Sequence, residues 1–471
     1  MKTVAWVIGL SLAAAAVQTA CGATANATVL VLQDGAPLRA AARDSSPQQA
    51  QLARGEALEV RGERLDWLQV WDYRRERGGY LRRSQALAVA AEPAALLAQL
   101  RLTLPQDGAE GLGVALAAAY IQAATPAQLA EPQGAEVLDA LGRLGERIAA
   151  NNGPKRAALL DVATRYGLRF DSVEQADGGV RLCYDGDAFR RVLSLPAEAS
   201  AKARAALALT RADCRASTLT TSQRLASDDW RAEVLEHAPL DGLAGYERNR
   251  LLLRRATVAA SRAFARRDAA LAGQALAEFA RVQPVELPED DLPEWNDAAM
   301  RVNAMRWLAL PAPSERRIGS LTLKLEPGEN PGEQCLTLAG TTARKCSLAA
   351  VMLASASLNR EGTAIALAAQ PLDGWRELWV LRRQGGQWQF DVLPPALAAP
   401  GLGYVEFAGW INGGLLVASE SRAEGRYAPR RFAQLDLATL APQRQSGEPM
   451  ALGAFQRWAD PAWRGASLAL R

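Results

Sequence analysis

The chain has 471 residues, of which 49% are hydrophobic and 22% charged, with a formal net charge of +3. That length accommodates two or three domains with real cores, and the near balance of charge excludes bulk nucleic-acid binding as the basis of its composition. A single histidine and five cysteines leave little material for a metal centre or a histidine-dependent nucleophile.

Met1-Lys2-Thr3 precedes an apolar run from Val4 to Val17, which predicts a signal peptide over residues 1–25. The run is too short for a comfortable membrane span. Gln18-Thr19-Ala20-Cys21 resembles a bacterial lipobox, in which Cys21 would be acylated; the alternative is cleavage after Ala23-Thr24-Ala25. No later segment reaches 18 uninterrupted apolar residues, so the mature chain is expected to carry no transmembrane span. The expected location is the periplasm or cell envelope, with lipid anchoring at Cys21 left open. Once Cys21 is lipidated or removed, Cys183, Cys214, Cys335 and Cys346 remain. An even count in an exported chain points to disulfides. Proximity favours Cys183–Cys214 and Cys335–Cys346 among the three possible pairings.

Residues 28–91 alternate at period two and are broken by turn chemistry at Asp34-Gly35, Arg54-Gly55 and Arg77-Gly78-Gly79. Arg54, Gly55, Glu56, Leu58, Val60, Trp67, Val70, Gly79, Tyr80, Leu81 and Ser84 follow the pattern "RGE-L-V", "W-V", "GY-R-S". The segment is similar to the bacterial SH3-like (SH3b) domain, and the resemblance implies a five- to six-stranded small β-barrel, of a family in which some members bind cell-wall peptides or glycan and many only bind other proteins or pack against neighbouring domains. Alternation places Leu68 and Val70 on one face of the central strand and Trp67, Gln69, Trp71 and Tyr73 on the other. With Leu68 and Val70 in the core, Trp67, Trp71, Tyr73 and Tyr80 become candidate ligand-binding aromatics. The competing expectation is that they build the fold or pack on the helical region.

Residues 92–310 are expected to be α-helical, a bundle or solenoid-like domain with no clear fixed repeat. Apolar spacing of three and four marks Gly113–Ala124, Gly134–Ala150, Lys155–Tyr166, Pro196–Thr210, Asp228–Ala238, Tyr246–Arg267 and Asp268–Arg281. "DGGVRLCYDG" reads as a hairpin or loop, and Glu286–Glu294 as an acidic linker. In the helix around Arg248–Arg267, Leu252, Leu253, Ala256 and Ala260 share one side. Arg248, Arg255, Arg262 and Arg266 share the other, with Arg250 and Arg254. This basic face is a candidate surface for anionic headgroups or an acidic polymer. The alternative is a solvated or ion-paired face meeting the acidic linker.

Residues 315–471 are expected to be all-β, either propeller-like or a sandwich. Turns at Glu361-Gly362, Asp373-Gly374 and Gly385-Gly386 separate apolar strands, and "LDL-T" near residue 435 resembles a propeller-blade strand. At roughly 40 residues per blade, the region holds at most four blades. Trp375, Trp379, Trp388, Trp410, Trp458 and Trp463 read as core, or as an aromatic surface. With "CYDG" and "GYVEFAGW" in the later regions, the order of segments resembles that of SH3-domain proteins of the proteobacterial envelope, a resemblance that implies no activity.

Catalytic signatures are missing. There is no G-x-S-x-G, no phosphate-cradling glycine loop and no C-x-x-C. His237 lies at an expected helix end, and Asp185-Gly186-Asp187 offers paired acids whose expected role is a turn. The expectation is an exported, non-enzymatic binding or scaffold protein of the bacterial envelope, without cofactor or metal, contacting a protein or peptidoglycan component. The alternative is an envelope enzyme with carboxylate-based glycan chemistry.

Overall fold

The computed structural model describes residues 27–460, except 176, 398 and 399. The expected signal peptide, Cys21 and Trp463 lie outside the described residues. The chain forms two compact units, residues 1–129 with 143–169, and residues 130–142 with 170–471.

The first unit begins with seven short strands: β1 (Thr28–Val31), β2 (Ala36–Arg39), β3 (Gln48–Leu52), β4 (Ala57–Arg64), β5 (Trp67–Asp72), β6 (Arg77–Arg82) and β7 (Ala86–Ala88). Their order is β3-β2-β6-β5-β4-β1-β7. Val60 of β4 opposes Val70 of β5 and Leu58 opposes Val29 of β1; with Leu68, Val31, Leu38 and Leu81 they form one core, as period two requires. The expected closed barrel is not formed: the sheet ends at β3 and β7. β2 meets β6 through one register pair, Arg39 with Tyr80. β3 turns Gln48, Gln49 and Gln51 outward, which solvates its edge and gives it no apolar reason to close. The unit also holds α1 (Pro93–Thr103), α2 (Glu110–Ala123), the short α3 (Pro126–Leu129) and α5 (Arg156–Arg165). α4 (Pro132–Ala150) supplies residues to both units.

The second unit opens with a hairpin, β8 (Phe170–Glu174) and β9 (Val180–Tyr184). Six helices follow: α6 (Asp187–Ser194), α7 (Ala199–Leu209), α8 (Thr221–Glu236), α9 (Gly245–Arg266), α10 (Ala269–Ala280) and α11 (Leu292–Met305). Leu252, Leu253, Ala256 and Ala260 of α9 face a core shared with Phe279 of α10 and Trp295 of α11. The disulfide Cys183–Cys214, with sulfurs 2.07 Å apart, ties β9 to the chain after α7.

Three four-stranded antiparallel meanders complete the unit. The first is β10 (Glu315–Ile318), β11 (Leu321–Pro327), β12 (Gln334–Leu338) and β13 (Arg344–Ser347). Cys335 and Cys346 oppose each other on β12 and β13 and form the second disulfide, S–S 1.98 Å. The second is β14 (Ala350–Leu358), β15 (Ala364–Leu372), β16 (Trp375–Gln384) and β17 (Gln387–Leu393). The third is β18 (Leu402–Ile411), β19 (Gly414–Ala423), β20 (Arg426–Asp436) and β21 (Pro442–Ser446), followed by α12 (Gly453–Trp458). β15 is apolar on both faces because both are covered. Ile365, Leu367 and Ala369 pack against the first meander, and Ala366 joins the core shared with the third. β16 and β18 run parallel only at Trp375–Gly403 and Arg376–Tyr404. Beyond that seam β17 takes the edge of β16, and the two meanders part.

Candidate functional site

The register of β4, β5 and β6 brings the candidate aromatics onto one face. Trp67, Gln69 and Trp71 of β5 stand opposite Arg82, Tyr80 and Gly78 of β6, on the side away from Leu68 and Val70. On β4, Arg64 and Glu59 oppose Trp67 and Trp71, and the extra residue of a bulge between Val60 and Gly62 is Arg61. That bulge carries the Arg61 guanidinium 4.4 Å above the Trp71 ring centre. Arg82 lies 4.7 Å above the ring of Trp67, which is only 5% exposed. Trp71 and Tyr80 are half-buried, whereas Tyr73 is 68% exposed. The Tyr73 hydroxyl donates to Glu59 Oε2 at 2.6 Å. That hydrogen bond, helped by Arg61, holds the Glu59 carboxyl below the usual carboxylate range. Asp44 grips Arg82 and is lowered in the same way.

The stripe expected from alternation is therefore two tryptophans, Trp67 and Trp71, each overlaid by a guanidinium, with Tyr73 and Tyr80 beside them. Each stacked pair is worth about 0.5–1 kcal/mol at an exposed site. Arg61 and Arg82 were not among the residues that sequence reasoning singled out. The signal was available in the pairing of "WLQVWD" with "RGGYLR", which sets Arg82 opposite Trp67. Arg61 depends on a bulge, which alternation does not foresee.

A buried ionic knot lies at the end of β5. Glu56 and Asp72 are 4% and 2% exposed, and Arg75 Nη1 lies between them at 2.7 and 2.6 Å. Asp72 Oδ1 also accepts the backbone N–H of Arg74 and Arg75 at 3.0 and 3.3 Å, which shapes the turn from β5 into β6. Arg74 bridges Glu56 and Asp161 of α5.

The basic residues of α9 are engaged within the second unit. Arg248 pairs with Glu286 at 3.5 Å, Arg250 with Asp291 at 2.7 Å and Arg254 with Glu294 at 3.0 Å. Arg262 and Arg266 both hold Asp229, at 2.8 and 2.6 Å. Arg255 Nη2 donates to the carbonyls of Leu235 and Ala238, at the C-terminal end of α8. His237 caps the same helix and its Nδ1 donates to the Glu233 carbonyl at 2.8 Å. Asp185 Oδ1 accepts the Asp187 N–H at 3.0 Å and so shapes the start of α6; Asp187 is exposed.

The four cysteines pair as proximity favoured. Trp375 and Trp379 are core, at 2% and 1% exposed, whereas Trp458 is 59% exposed. Beside the β16–β18 seam, Glu406 is 5% exposed and receives Arg376 on one oxygen. The other oxygen takes Arg306 Nη2 and Trp307 Nε1, both at 3.0 Å. Both oxygens of Glu406 are therefore engaged by donors of the protein itself. Comparison of the chain with protein-family models, with curated proteins and with solved structures finds no match.

Proposed function

We propose that the protein is an exported binding or scaffold protein of the bacterial cell envelope, and that it holds a protein or peptidoglycan component on the outer face of β4–β6. The observation that carries this reading is the juxtaposition of Trp71, Tyr73 and Tyr80 with Arg61 and Arg82 on one side of an uncapped sheet face. Flat rings take up sugar or peptide faces through dispersion, and guanidinium planes add directional donors for carboxylates. The reading of the small sheet as an SH3b-like module fits the placement of Leu58, Val60, Val70 and Leu81 in its core and of Gly55 in its turn. The three successive four-stranded meanders support a propeller-like arrangement, in which the third region is a second scaffold. Two disulfides are compatible with an oxidising compartment. Among the described residues no helix is long and apolar enough to cross a membrane.

Sedimentation with purified sacculi and pull-down from an envelope extract, each run across a salt series, test the proposal. Because the face combines rings with guanidiniums, the bound fraction should fall as salt rises, and Arg61→Ala with Arg82→Ala should flatten that dependence. No partner in either assay at low salt would refute it.

A further inference from the structure

A cleft of about 550 Å³ opens within the second unit, between β14 of the second meander and β18 of the third, with Trp307 on one wall and β10 at its mouth. Two local departures from regular pairing make it. β14 leaves register with β15 between Met352 and Ser357, and β18 leaves β16 after the Arg376–Tyr404 pair. Ser355 holds the bulge open: its hydroxyl donates to the Met352 carbonyl and accepts the Ala368 N–H, both at 2.7 Å. The walls are mainly apolar, with Leu358, Leu378, Val405 and Phe407 among them. The volume lies in the range of small-molecule sites, about 300–1,000 Å³.

The polar groups of this cleft are unequally committed. Glu406 is spent on Arg306, Arg376 and Trp307, as described above. Arg316 is not: it is half-buried, and among the described residues it donates from Nη1 to the Leu353 carbonyl at 2.5 Å. No carboxylate pairs with it among the described residues. Nε and Nη2 remain, the side-on pair of donors that fits a carboxylate in two parallel hydrogen bonds. Asp460 also lines the cleft, but three guanidiniums (Arg306, Arg316, Arg376) stand against two carboxylates (Glu406, Asp460) at or beside it.

We propose that this cleft binds a small anionic amphiphile, an apolar chain ending in a carboxylate, with Arg316 as the anchor for the carboxylate and the Leu378–Phe407 walls enclosing the chain. The site is independent of the face on β4–β6. Only noncovalent binding is involved.

Isothermal titration calorimetry on the full chain, with decanoate and decan-1-ol as probes, tests this. Decanoate should bind saturably at one site, with decan-1-ol at least about tenfold weaker, a difference of about 1.4 kcal/mol. Arg316→Met should bring decanoate down to the level of the alcohol, and Arg316→Lys should keep part of the preference. Ala354→Trp, which fills the cleft from a half-buried position, should weaken both ligands. Thermal melting checks that each variant is folded, and Arg316→Met and Arg316→Lys probe the site without filling it. Equal affinity for acid and alcohol, decanoate binding unchanged in Arg316→Met, or no decanoate binding at all would overturn the proposal.

Discussion

Gly55 has φ +91°, and a Cβ there would lie 2.4 Å from the backbone carbonyl of Gly111 in α2. Both the left-handed backbone and the close approach of two main chains require glycine. Gly55→Ala should therefore destabilise the first unit by about 3 kcal/mol, read from the denaturant midpoint; a loss under about 0.5 kcal/mol would show that the helix can give way. Two tyrosines report on packing in another way. Burial pushes the hydroxyls of Tyr166 and Tyr184 up to about 12. Tyr166 donates to the Gly55 carbonyl at 2.9 Å, and Tyr184 accepts the Ala188 N–H at 3.0 Å. Their folded values stand above the ordinary phenol value of about 10. The stability they add is thus fully present below pH 10 and is lost as pH rises through about 12. Titration of tyrosinate absorbance should show Tyr166 and Tyr184 ionising late, along with Tyr404 and Tyr427, whose hydroxyls burial also raises, coincident with alkaline unfolding. Ionisation of Tyr166 and Tyr184 near pH 10 in a still-folded protein would contradict the packing.

Among the elements, the strands of the small sheet and most of the long helices were legible because period two and spacings of three and four survive in the residues themselves. α11 was not. Pro288 and Pro293 around a run of acids read as a linker, yet Pro293 occupies the first turn of a helix, where its missing N–H costs nothing. α8 starts well before Asp228, where apolar spacing placed it. The true signal was the capping box of Thr220 and Gln223, in which each side chain satisfies the other's backbone N–H. The hydrogen-bond ladder of the sheets was only half readable. Gly385 and Gly386, both at positive φ, make the tight turn between β16 and β17 that their sequence announces. The bulges in β4 and β14, which create the Arg61–Trp71 stack and the cleft, come from tertiary packing and leave no local mark. The disulfides also belong to this scale. They close loops of 31 and 11 residues, so the chain-entropy estimate gives about 4 kcal/mol for Cys183–Cys214 and about 3 kcal/mol for Cys335–Cys346. Paired Cys→Ser variants should lose stability in that order. A double variant as stable as the wild type would mean that the bridge constrains nothing in the unfolded chain.

Across the whole molecule, the broad division into a small sheet, helices and a β-rich end was visible from composition and turn spacing. The grouping of α1, α2 and α5 with the small sheet was not, because it rests on pairs far apart in the chain, such as Lys155 with Asp34 and Arg74 with Asp161. The candidate face lies at the same level. Its four aromatics could be gathered from alternation, but the guanidiniums that define its chemistry came from neighbouring strands. The buried acids Glu56 and Asp72 of the first unit and Glu406 of the second are each held by arginines. The most direct test is the fraction of protein retained by sacculi or by an envelope partner, compared between the wild type and the Trp71→Ala, Tyr73→Ala double variant at matched stability. Retention should fall at least about tenfold, roughly the contribution of two interface aromatics. Undiminished retention in the folded double variant would contradict the proposal that the protein works through this face.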